Sequence, residues 1–156
     1  MTDQPPPEAM SLQPITADNW RLVVRLSLKP GQEHFVAPNW YSILQAHFEG
    51  GSAKAIYTAE TLIGFVWYTF DAQTNQWWIV RFMISAEHQG KHYGRAALHT
   101  IIREIRDQHH PAEIYISFEP ENEPARKLYE SIGFADTGRI EDGELVFCLD
   151  LSQYQG

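Results

Sequence analysis

"SAEHQGKHYGRAALHTII", residues 85–102, joins a short loop containing two glycines to a run of apolar residues at helical spacing. The preceding residues, 76–85, are rich in β-branched and aromatic side chains and predict a strand. After the loop, the apolar residues share one helical face: Ala97, Leu98, Ile101, Ile102 and Ile105. "EIYISF", residues 113–118, predicts another strand. The order strand, helix, strand therefore predicts a parallel strand pair joined by a right-handed crossover.

The loop has the chemistry of an anion site. Main-chain N–H groups at the start of a helix lack intrahelical acceptors and lie at the positive end of the helix dipole. Gly90 and Gly94 let the backbone approach an anion closely, and Lys91 and Arg95 add positive charge. The pattern is neither a P-loop nor a dinucleotide fingerprint. Taken alone, it predicts either a phosphate or pyrophosphate site or an ordinary connector.

The rest of the chain predicts a mixed sheet covered by helices, which is an α/β or α+β domain. Strands are predicted upstream over residues 11–16, 54–60 and 61–71, with helices over residues 20–28 and 40–49. The last two of these strands and the strand before the loop would form three antiparallel strands in succession. Downstream, Asn122 caps a helix that Gly133 ends, and residues 134–140 and 144–152 form a hairpin.

Length and composition predict one domain over residues 11–156. The chain has 156 residues, of which 44% are hydrophobic, and this suits a single core. The first ten residues contain three consecutive prolines and are predicted to be a disordered tail. No apolar run reaches the roughly 20 residues that span a bilayer, and the N-terminus does not resemble a signal peptide. We therefore expect a cytoplasmic protein with no membrane partner.

The negative charge is concentrated in the last third of the chain. Residues 113–150 hold ten acidic and three basic residues, and so carry −7 of the formal net charge of −8. Such a surface repels phosphate backbones and attracts cationic ligands. We expect no nucleic-acid partner and a small positively charged substrate, unless the charge serves only to keep the protein soluble.

The cysteine and the histidines do not predict a metal site. Cys148 is the only cysteine, and its apolar surroundings, "LVFCL", predict a buried and unreactive thiol. His109 and His110 precede Pro111 in a predicted loop, where we expect them to be solvated. No pair of histidines has the spacing of metal ligands, so we expect no metal.

A second motif, "NEPARKLYESIGF" at residues 122–134, places Asn122 at a helix start and Tyr129 two turns later on the same face. Together with "QGKHYGRAAL", it resembles the GCN5-related N-acetyltransferases, the GNAT family, over roughly residues 11–151. The family loop Q/R-x-x-G-x-G/A matches at Gln89 and Gly94 but not at His92, whereas the second motif is complete. "QEHFVAPNWYS" and "YISFEPEN" further resemble the bacterial spermine/spermidine (diamine) acetyltransferases.

The resemblance implies a GNAT-type fold: a mixed, mostly antiparallel central sheet with a splayed parallel strand pair, flanked by about four helices. It implies direct acetyl transfer from acetyl-CoA to an amine, without a metal or an acyl-enzyme. The strand containing "RFMIS" would be bulged, and pantetheine would fill the gap beside "YISF". Main-chain groups of Met83 and Ile84 would bind the pantetheine and fix the acetyl carbonyl. The residues implied in coenzyme binding are Met83, Ile84, Gln89, Gly90, Lys91, His92, Tyr93, Gly94, Arg95 and Asn122.

The resemblance also implies catalytic roles. Tyr129 would protonate the departing thiolate, because a phenol of pKa about 10 can donate to a thiolate of pKa about 8.5. Polyamine-modifying relatives often carry a glutamate where this chain has Val80 and Arg81. Glu119 and Glu33 are therefore alternative candidates for the general base, each with the further alternative of an ordinary surface acid.

The acceptor side is expected in the segment around residues 31–42 and in the third strand. Its candidate residues are Glu33, Phe35 and Trp40, while Trp67 and Tyr68 could either contact substrate or belong to the core. We expect a polyamine acceptor. The alternatives are an acetyltransferase for a protein N-terminus, lysine, amino acid or antibiotic, and a non-catalytic acyl-CoA-binding module. Relatives are often dimers, so a homodimer stays open. The His92 imidazole is hypothesised to lie near a phosphate, with the residue at positive φ.

Overall fold

The computed structural model describes residues 9–156 and contains one seven-stranded sheet with four α-helices. The strands are β1 (Met10–Pro14), β2 (Ser52–Thr58), β3 (Thr61–Asp71), β4 (Gln76–Ile84), β5 (Glu113–Phe118), β6 (Ala135–Glu141) and β7 (Glu144–Asp150). The α-helices are α1 (Trp20–Arg25), α2 (Asn39–Glu49), α3 (Tyr93–His109) and α4 (Glu123–Ile132), and short 3₁₀ turns lie at Glu33–Phe35 and Ala86–His88. This is the predicted mixed α/β architecture.

The strand order is β1-β2-β3-β4-β5-β7-β6, and every neighbouring pair is antiparallel except β4 and β5. The three successive antiparallel strands and the terminal hairpin are therefore confirmed. The parallel pairing through α3 is also confirmed, although β7 rather than β6 lies beside β5. Because β7 enters the sheet between β5 and β6, the last strand of the chain borders the centre of the molecule.

The parallel pair opens after three residues. Trp77 to Ile79 of β4 pair with residues 114–116 of β5, and the pairing then stops although both strands continue. On its other edge β4 shifts register: Trp67 pairs with Arg81 and Tyr68 with Ile79, so Val80 is bulged out. The bulge bends β4 away from β5. The expected bulge and splay are thus present, with the bulge one residue before "RFMIS".

Helices cover both faces of the sheet. One core cluster lies under α3 and α4 and includes Ile79, Leu98, Ile101, Ile116 and Phe147. A smaller cluster lies under α1 and α2 and includes Val23, Phe65, Trp67 and Met83. Since alternate residues of a strand point to opposite faces, Met83 and Ile84 contribute to different clusters.

The first helix is shorter than predicted. It ends at Arg25 instead of continuing to residue 28, because Leu26 has extended geometry with ψ 133°. The carbonyl of Ser27 then accepts a hydrogen bond of 2.7 Å from the amide of Ala86. Asn19 occupies the N-cap position without a side-chain capping bond, since its carboxamide binds Thr16 and Pro14 instead. This segment is shaped by packing beside β4 and not by helix propensity.

Two other local predictions were wrong. His109 does not lie in a loop: it ends α3, and its ring stacks on Trp77 with centroids 4.0 Å apart. Met10 does not belong to a disordered tail, because it pairs with Thr58 as the first residue of β1. The prediction for residues 1–8 lies outside the described residues. Within residues 9–156, no helix is long and apolar enough to cross a membrane.

Candidate active site

A cavity of about 390 Å³ lies where β4 and β5 separate. Its floor comes from residues 79–84 of β4 and residues 116–119 of β5. Gln32, residues 34–37 and the start of α3 border it, and α4 contributes Leu128 and Tyr129. The cavity thus follows from two local events, the bulge at Val80 and the end of the parallel pairing.

The splayed edge of β4 exposes main-chain groups to this cavity. A Cβ placed on Gly64 would lie 2.4 Å from the carbonyl oxygen of Met83, so that carbonyl points towards β3. Successive main-chain carbonyls of a strand point to opposite edges. The carbonyl of Ile84 therefore points away from β3, towards the cavity. The main-chain donors and acceptors on the cavity side therefore belong to Phe82 and Ile84. The main-chain groups of Met83 were expected to bind the pantetheine, but the Met83 carbonyl is directed towards β3.

The Gln89 side chain connects the loop to the end of β4 through a hydrogen bond. Its Nε2 donates to the carbonyl of Ile84 at 3.0 Å and to Oε1 of Gln32 at 3.1 Å. The side chain thereby joins the loop, the strand and the segment before α2. Gln32 was not recognised from the sequence, because the contact spans 57 positions.

The main-chain amides at the start of α3 are available to an anion. The first main-chain hydrogen bond there runs from the amide of Ala96 to the carbonyl of His92. Among residues 9–156, no acceptor is hydrogen-bonded to the amides of residues 90–95. They converge at the positive end of a 17-residue helix.

His92 has φ 65° and ψ 10°, which is left-handed geometry, as the hypothesis for this position required. Gly90, with φ 76°, supplies the other left-handed position of the loop. The His92 side chain is exposed and lies outside the cavity lining. His92 is therefore the N-cap of α3 in left-handed geometry, and the helix begins at the next residue, Tyr93.

The other loop side chains differ in orientation. The Arg95 guanidinium donates to the carbonyl and hydroxyl of Ser131, at 3.3 and 2.7 Å, and so connects α3 to the end of α4. Lys91 is exposed. Tyr93 is half-buried, with its ring centroid 6.2 Å from that of His88. Gly90 and Gly94 line the cavity.

Helix α4 brings Tyr129 to the cavity. Its N-cap residue, Asn122, accepts a hydrogen bond from the amide of Ala125 at 3.3 Å, as predicted. Tyr129 is 6% exposed and packs against Phe118 and Phe134 while lining the cavity. Burial, followed by the negative charge of Glu144, raises the pKa of Tyr129 well above its ordinary value. The phenol therefore stays protonated at neutral pH.

Two carboxylates line the same cavity, Glu119 at the end of β5 and Glu144 at the start of β7. Only Glu119 was identified from the sequence. Oε1 of Glu144 accepts a hydrogen bond from the Ser117 hydroxyl at 3.0 Å. Burial is the main cause that raises the pKa of Glu144, and the negative charge of Glu119 adds to it. Glu144 lies in a hairpin far from both motifs, so no local pattern identified it.

Arg81 is the cation of the cavity lining. Its guanidinium donates to the carbonyl of Val80 at 3.1 Å and to Oε1 of Gln45 at 3.2 Å, and lies 5.8 Å from the ring centroid of Trp67. Its buried Nε has no hydrogen-bond partner within the described part of the chain. The buried Nε therefore remains unsatisfied among residues 9–156.

The predicted acceptor residues are only partly brought together. Phe35 lines the cavity. Glu33 is exposed, and its carboxylate accepts a hydrogen bond from the amide of Gly31 at 2.8 Å. Trp40 is 54% exposed on α2 and lies outside the cavity lining. Trp67 and Tyr68 are 2% and 1% exposed and belong to the core, since they lie in a central strand covered on both faces.

The remaining candidate ligands do not form a metal site. Within residues 9–156, no group of three or more His, Cys, Asp or Glu side chains could hold a metal ion. Burial and the charge of Glu113 raise the pKa of Cys148 to about 11, so its thiol stays protonated at neutral pH. The cavity therefore offers main-chain groups, a phenol, two carboxylates and a guanidinium.

Comparison with known proteins identifies the class of this arrangement. The model of the acetyltransferase (GNAT) family matches residues 18–134, and the chain belongs to this family. It is therefore an acetyltransferase, as the two motifs indicated. The spermine/spermidine N(1)-acetyltransferase of Bacillus subtilis strain 168 is 24% identical over 153 residues, which cover 92% of this chain and 99% of the relative.

Solved structures share the fold. The spermidine N-acetyltransferase of Vibrio cholerae, in complex with CoA and spermine, superposes with a TM-score of 0.75 at 19% identity and covers 93% of this chain and 97% of its own. The PaiA N-acetyltransferase of Thermoplasma acidophilum, in complex with coenzyme A, gives a TM-score of 0.67 at 14% identity, with coverages of 91% and 99%. At these identities the likeness establishes the fold.

Proposed function

We propose that this acetyltransferase transfers the acetyl group of acetyl-CoA directly to a primary amine, and that the acceptor is a polyamine such as spermidine or spermine. The observation that carries the proposal is the cavity between the separated ends of β4 and β5. It runs from the free amides of α3 to the phenol of Tyr129 and contains Glu119 and Glu144.

The residues present fit the coenzyme. The amides of residues 90–95 would hold the pyrophosphate, since they are unpaired and lie at the positive end of α3. The cavity-side groups of Phe82 and Ile84 would bind the pantetheine as a neighbouring strand would, and they replace Met83 in that role. Lys91 would add positive charge near the phosphates, and the His92 imidazole would lie near a phosphate. Gly94 lies at the narrow passage between α3 and α4, where a Cβ would contact Leu128 at 3.5 Å.

Tyr129 would act as the general acid. The phenol is protonated at neutral pH and can therefore donate to a departing thiolate. Its ring is held by Phe118 and Phe134, so the hydroxyl is positioned before substrate arrives. Bound acetyl-CoA supplies the activated acetyl group.

Several observations support a cationic acceptor. Glu119 and Glu144 put two carboxylates in the cavity, and the chain has a formal net charge of −8. The Bacillus subtilis relative is a spermine/spermidine N(1)-acetyltransferase, and the Vibrio cholerae spermidine N-acetyltransferase structure contains spermine. Phe35 offers an apolar wall to the alkyl chain of a polyamine.

Arg81 favours a second candidate. Its guanidinium belongs to the cavity lining, and it would pair with the carboxylate of an amino acid or a peptide terminus. Such an acceptor would carry an anionic group beside its amine, which spermidine lacks.

A screen of amines tests the proposal. Purified protein is incubated with acetyl-CoA and one amine at a time, and free thiol is measured with a chromogenic disulfide. The panel contains spermine, spermidine, putrescine, amino acids, a lysine peptide and an aminoglycoside. We expect the highest kcat/KM for spermine or spermidine.

Preference for an amino acid or peptide would select the second candidate. Binding of acetyl-CoA in calorimetry, with no turnover of any amine, would instead indicate a non-catalytic acyl-CoA-binding module.

A further inference from the structure

We propose that Glu144 is the general base that deprotonates the acceptor amine. The assignment rests on the proposed amine acetylation. The carboxylate lies at the start of β7, immediately after the turn at Asp142 and Gly143, and lines the cavity that Tyr129 also lines. Acid and base would therefore come from different elements, the acid from α4 and the base from β7.

The carboxylate is held in place. Ser117 on the neighbouring strand donates its hydroxyl to Oε1 of Glu144 at 3.0 Å, and this leaves Oε2 free for another donor. Both residues lie on the face of the sheet opposite α3 and α4. Their strand neighbours, the buried Phe118 and the partly buried Leu145, pack on the side under those helices. A fixed carboxylate oxygen on this side can accept a proton from an amine that enters opposite the coenzyme.

The charges around Glu144 suit a base. Glu119 and Asp142 raise its pKa, while Ser117 and Arg81 lower it, and burial outweighs all of these. A carboxylate with a raised pKa is a stronger proton acceptor than an exposed one.

A fixed position distinguishes Glu144 from Glu119. Glu144 and Tyr129 line the same cavity, and the hydroxyl of Ser117 orients the Glu144 carboxylate. Within the described residues, the Glu119 carboxylate has no hydrogen bond that would orient it. Glu119 is thus suited to attract the cationic acceptor, and Glu144 to remove its proton.

The protons balance as follows. The acceptor ammonium gives one proton to Glu144, which later releases it to water. The free nitrogen pair attacks the acetyl carbonyl carbon, a C–N bond forms and the C–S bond breaks. Tyr129 donates its proton to the sulfur and regains one from the nitrogen through solvent. The products are an amide, a thiol and one proton in solution.

The pH profile of kcat/KM is the decisive measurement. With acetyl-CoA saturating, the wild type should lose activity as the pH falls and Glu144 becomes protonated. The pH at which this loss of activity at low pH (the acid limb) occurs should be the same for two acceptors whose amines differ in pKa. Glu144→Gln should lower kcat about 10²- to 10⁴-fold and abolish the limb. Glu60→Gln, in the exposed β2–β3 turn, is the matched control and should behave as wild type.

Two neighbouring variants should move the limb in opposite directions. Ser117→Ala removes a hydrogen bond that lowers the pKa of Glu144, so the limb should shift to higher pH. Glu119→Gln removes a negative charge that raises it, so the limb should shift to lower pH. A purely structural role for Glu144 would produce neither shift.

A second readout does not depend on turnover. Carbon-detected NMR of the free protein should show one glutamate carboxyl that titrates above the others and is missing in Glu144→Gln. Calorimetry should show unchanged acetyl-CoA affinity in that variant, which would establish that it folds.

Full activity and an intact acid limb in Glu144→Gln would overturn the assignment while leaving the proposed function in place. A wild type that binds acetyl-CoA but acetylates no amine would overturn both.

Discussion

The hydroxyl of Ser117 donates a hydrogen bond of 3.0 Å to the carboxylate of Glu144, although the two residues are 27 positions apart. The bond joins β5 to β7 at the mouth of the opening between β4 and β5. It holds a partly buried carboxylate in the cavity that Tyr129 also lines. The pairing of β7 with β5 therefore forms one wall of this cavity.

The buried carboxylate should make stability depend on pH. The folded-state pKa of Glu144 lies above its unfolded value, so its contribution to stability is present at low pH and is lost as the pH rises through the folded value. Glu144→Gln should remove this loss and raise the free energy of unfolding at pH 7. Urea unfolding between pH 4 and pH 8 measures the free energy of unfolding of both proteins, with Glu60→Gln as the control. A Glu144→Gln variant less stable than wild type at pH 7 would contradict the prediction.

Tyr129→Phe should lower kcat by about 10²- to 10⁴-fold, because the general acid is lost. The phenyl ring keeps its contacts with Phe118 and Phe134, so stability and acetyl-CoA affinity should change little. Tyr115→Phe is the matched control, since the Tyr115 hydroxyl binds Glu113 outside the cavity. Thiol release and calorimetry measure the two effects. Equal turnover in both variants would remove the acid role.

His92→Gly should weaken acetyl-CoA binding about fivefold, corresponding to about 1 kcal/mol, if the imidazole lies near a phosphate. Glycine adopts the left-handed backbone of His92 freely, so the loop geometry is kept and only the side chain is lost. Calorimetry measures the dissociation constant. Unchanged or tighter binding would show that the imidazole has no part in coenzyme binding.

Two proposed roles of Asn122, capping of α4 and contact with pantetheine, can be tested separately. Asn122→Ala should lower the free energy of unfolding by about 1 kcal/mol, because α4 loses its cap, whereas Asn122→Ser should keep the cap. If the carboxamide also contacts pantetheine, both variants should bind acetyl-CoA more weakly. Chemical unfolding and calorimetry on the same samples distinguish these effects. Wild-type affinity in Asn122→Ser would restrict the residue to capping.

The long periodic segments could be predicted from the sequence. Helix α3 and the hairpin strands β2 and β3 repeat their patterns over many residues, so local preference and tertiary packing agree. Helix α1 is the counterexample: its apolar residues continue the helical pattern to residue 28, but Leu26 turns into extended geometry. Contacts with the segment after β4 outweigh the helix propensity of these few residues.

The loop before α3 and helix α4 could be predicted from the sequence, because each is built from neighbouring residues. A loop and a helix start supply Gln89 to Arg95, and one helix carries both Asn122 and Tyr129. Spacing along a single helix predicts which of its residues share a face. The two motifs therefore identified the family and the candidate acid.

The acceptor end depends on contacts between residues distant in the chain. The Val80 bulge shifts the register of β4 beside the opening, and the insertion of β7 beside β5 adds Glu144 to the cavity lining. A register shift of one residue exchanges the faces of a strand, and strand order is set by packing of the whole sheet. Local sequence determined the anion loop and helix α4 of this protein. Long-range pairing determined that Glu144 lines the cavity, because its place depends on the pairing of β5 with β7, two strands that are far apart in the chain.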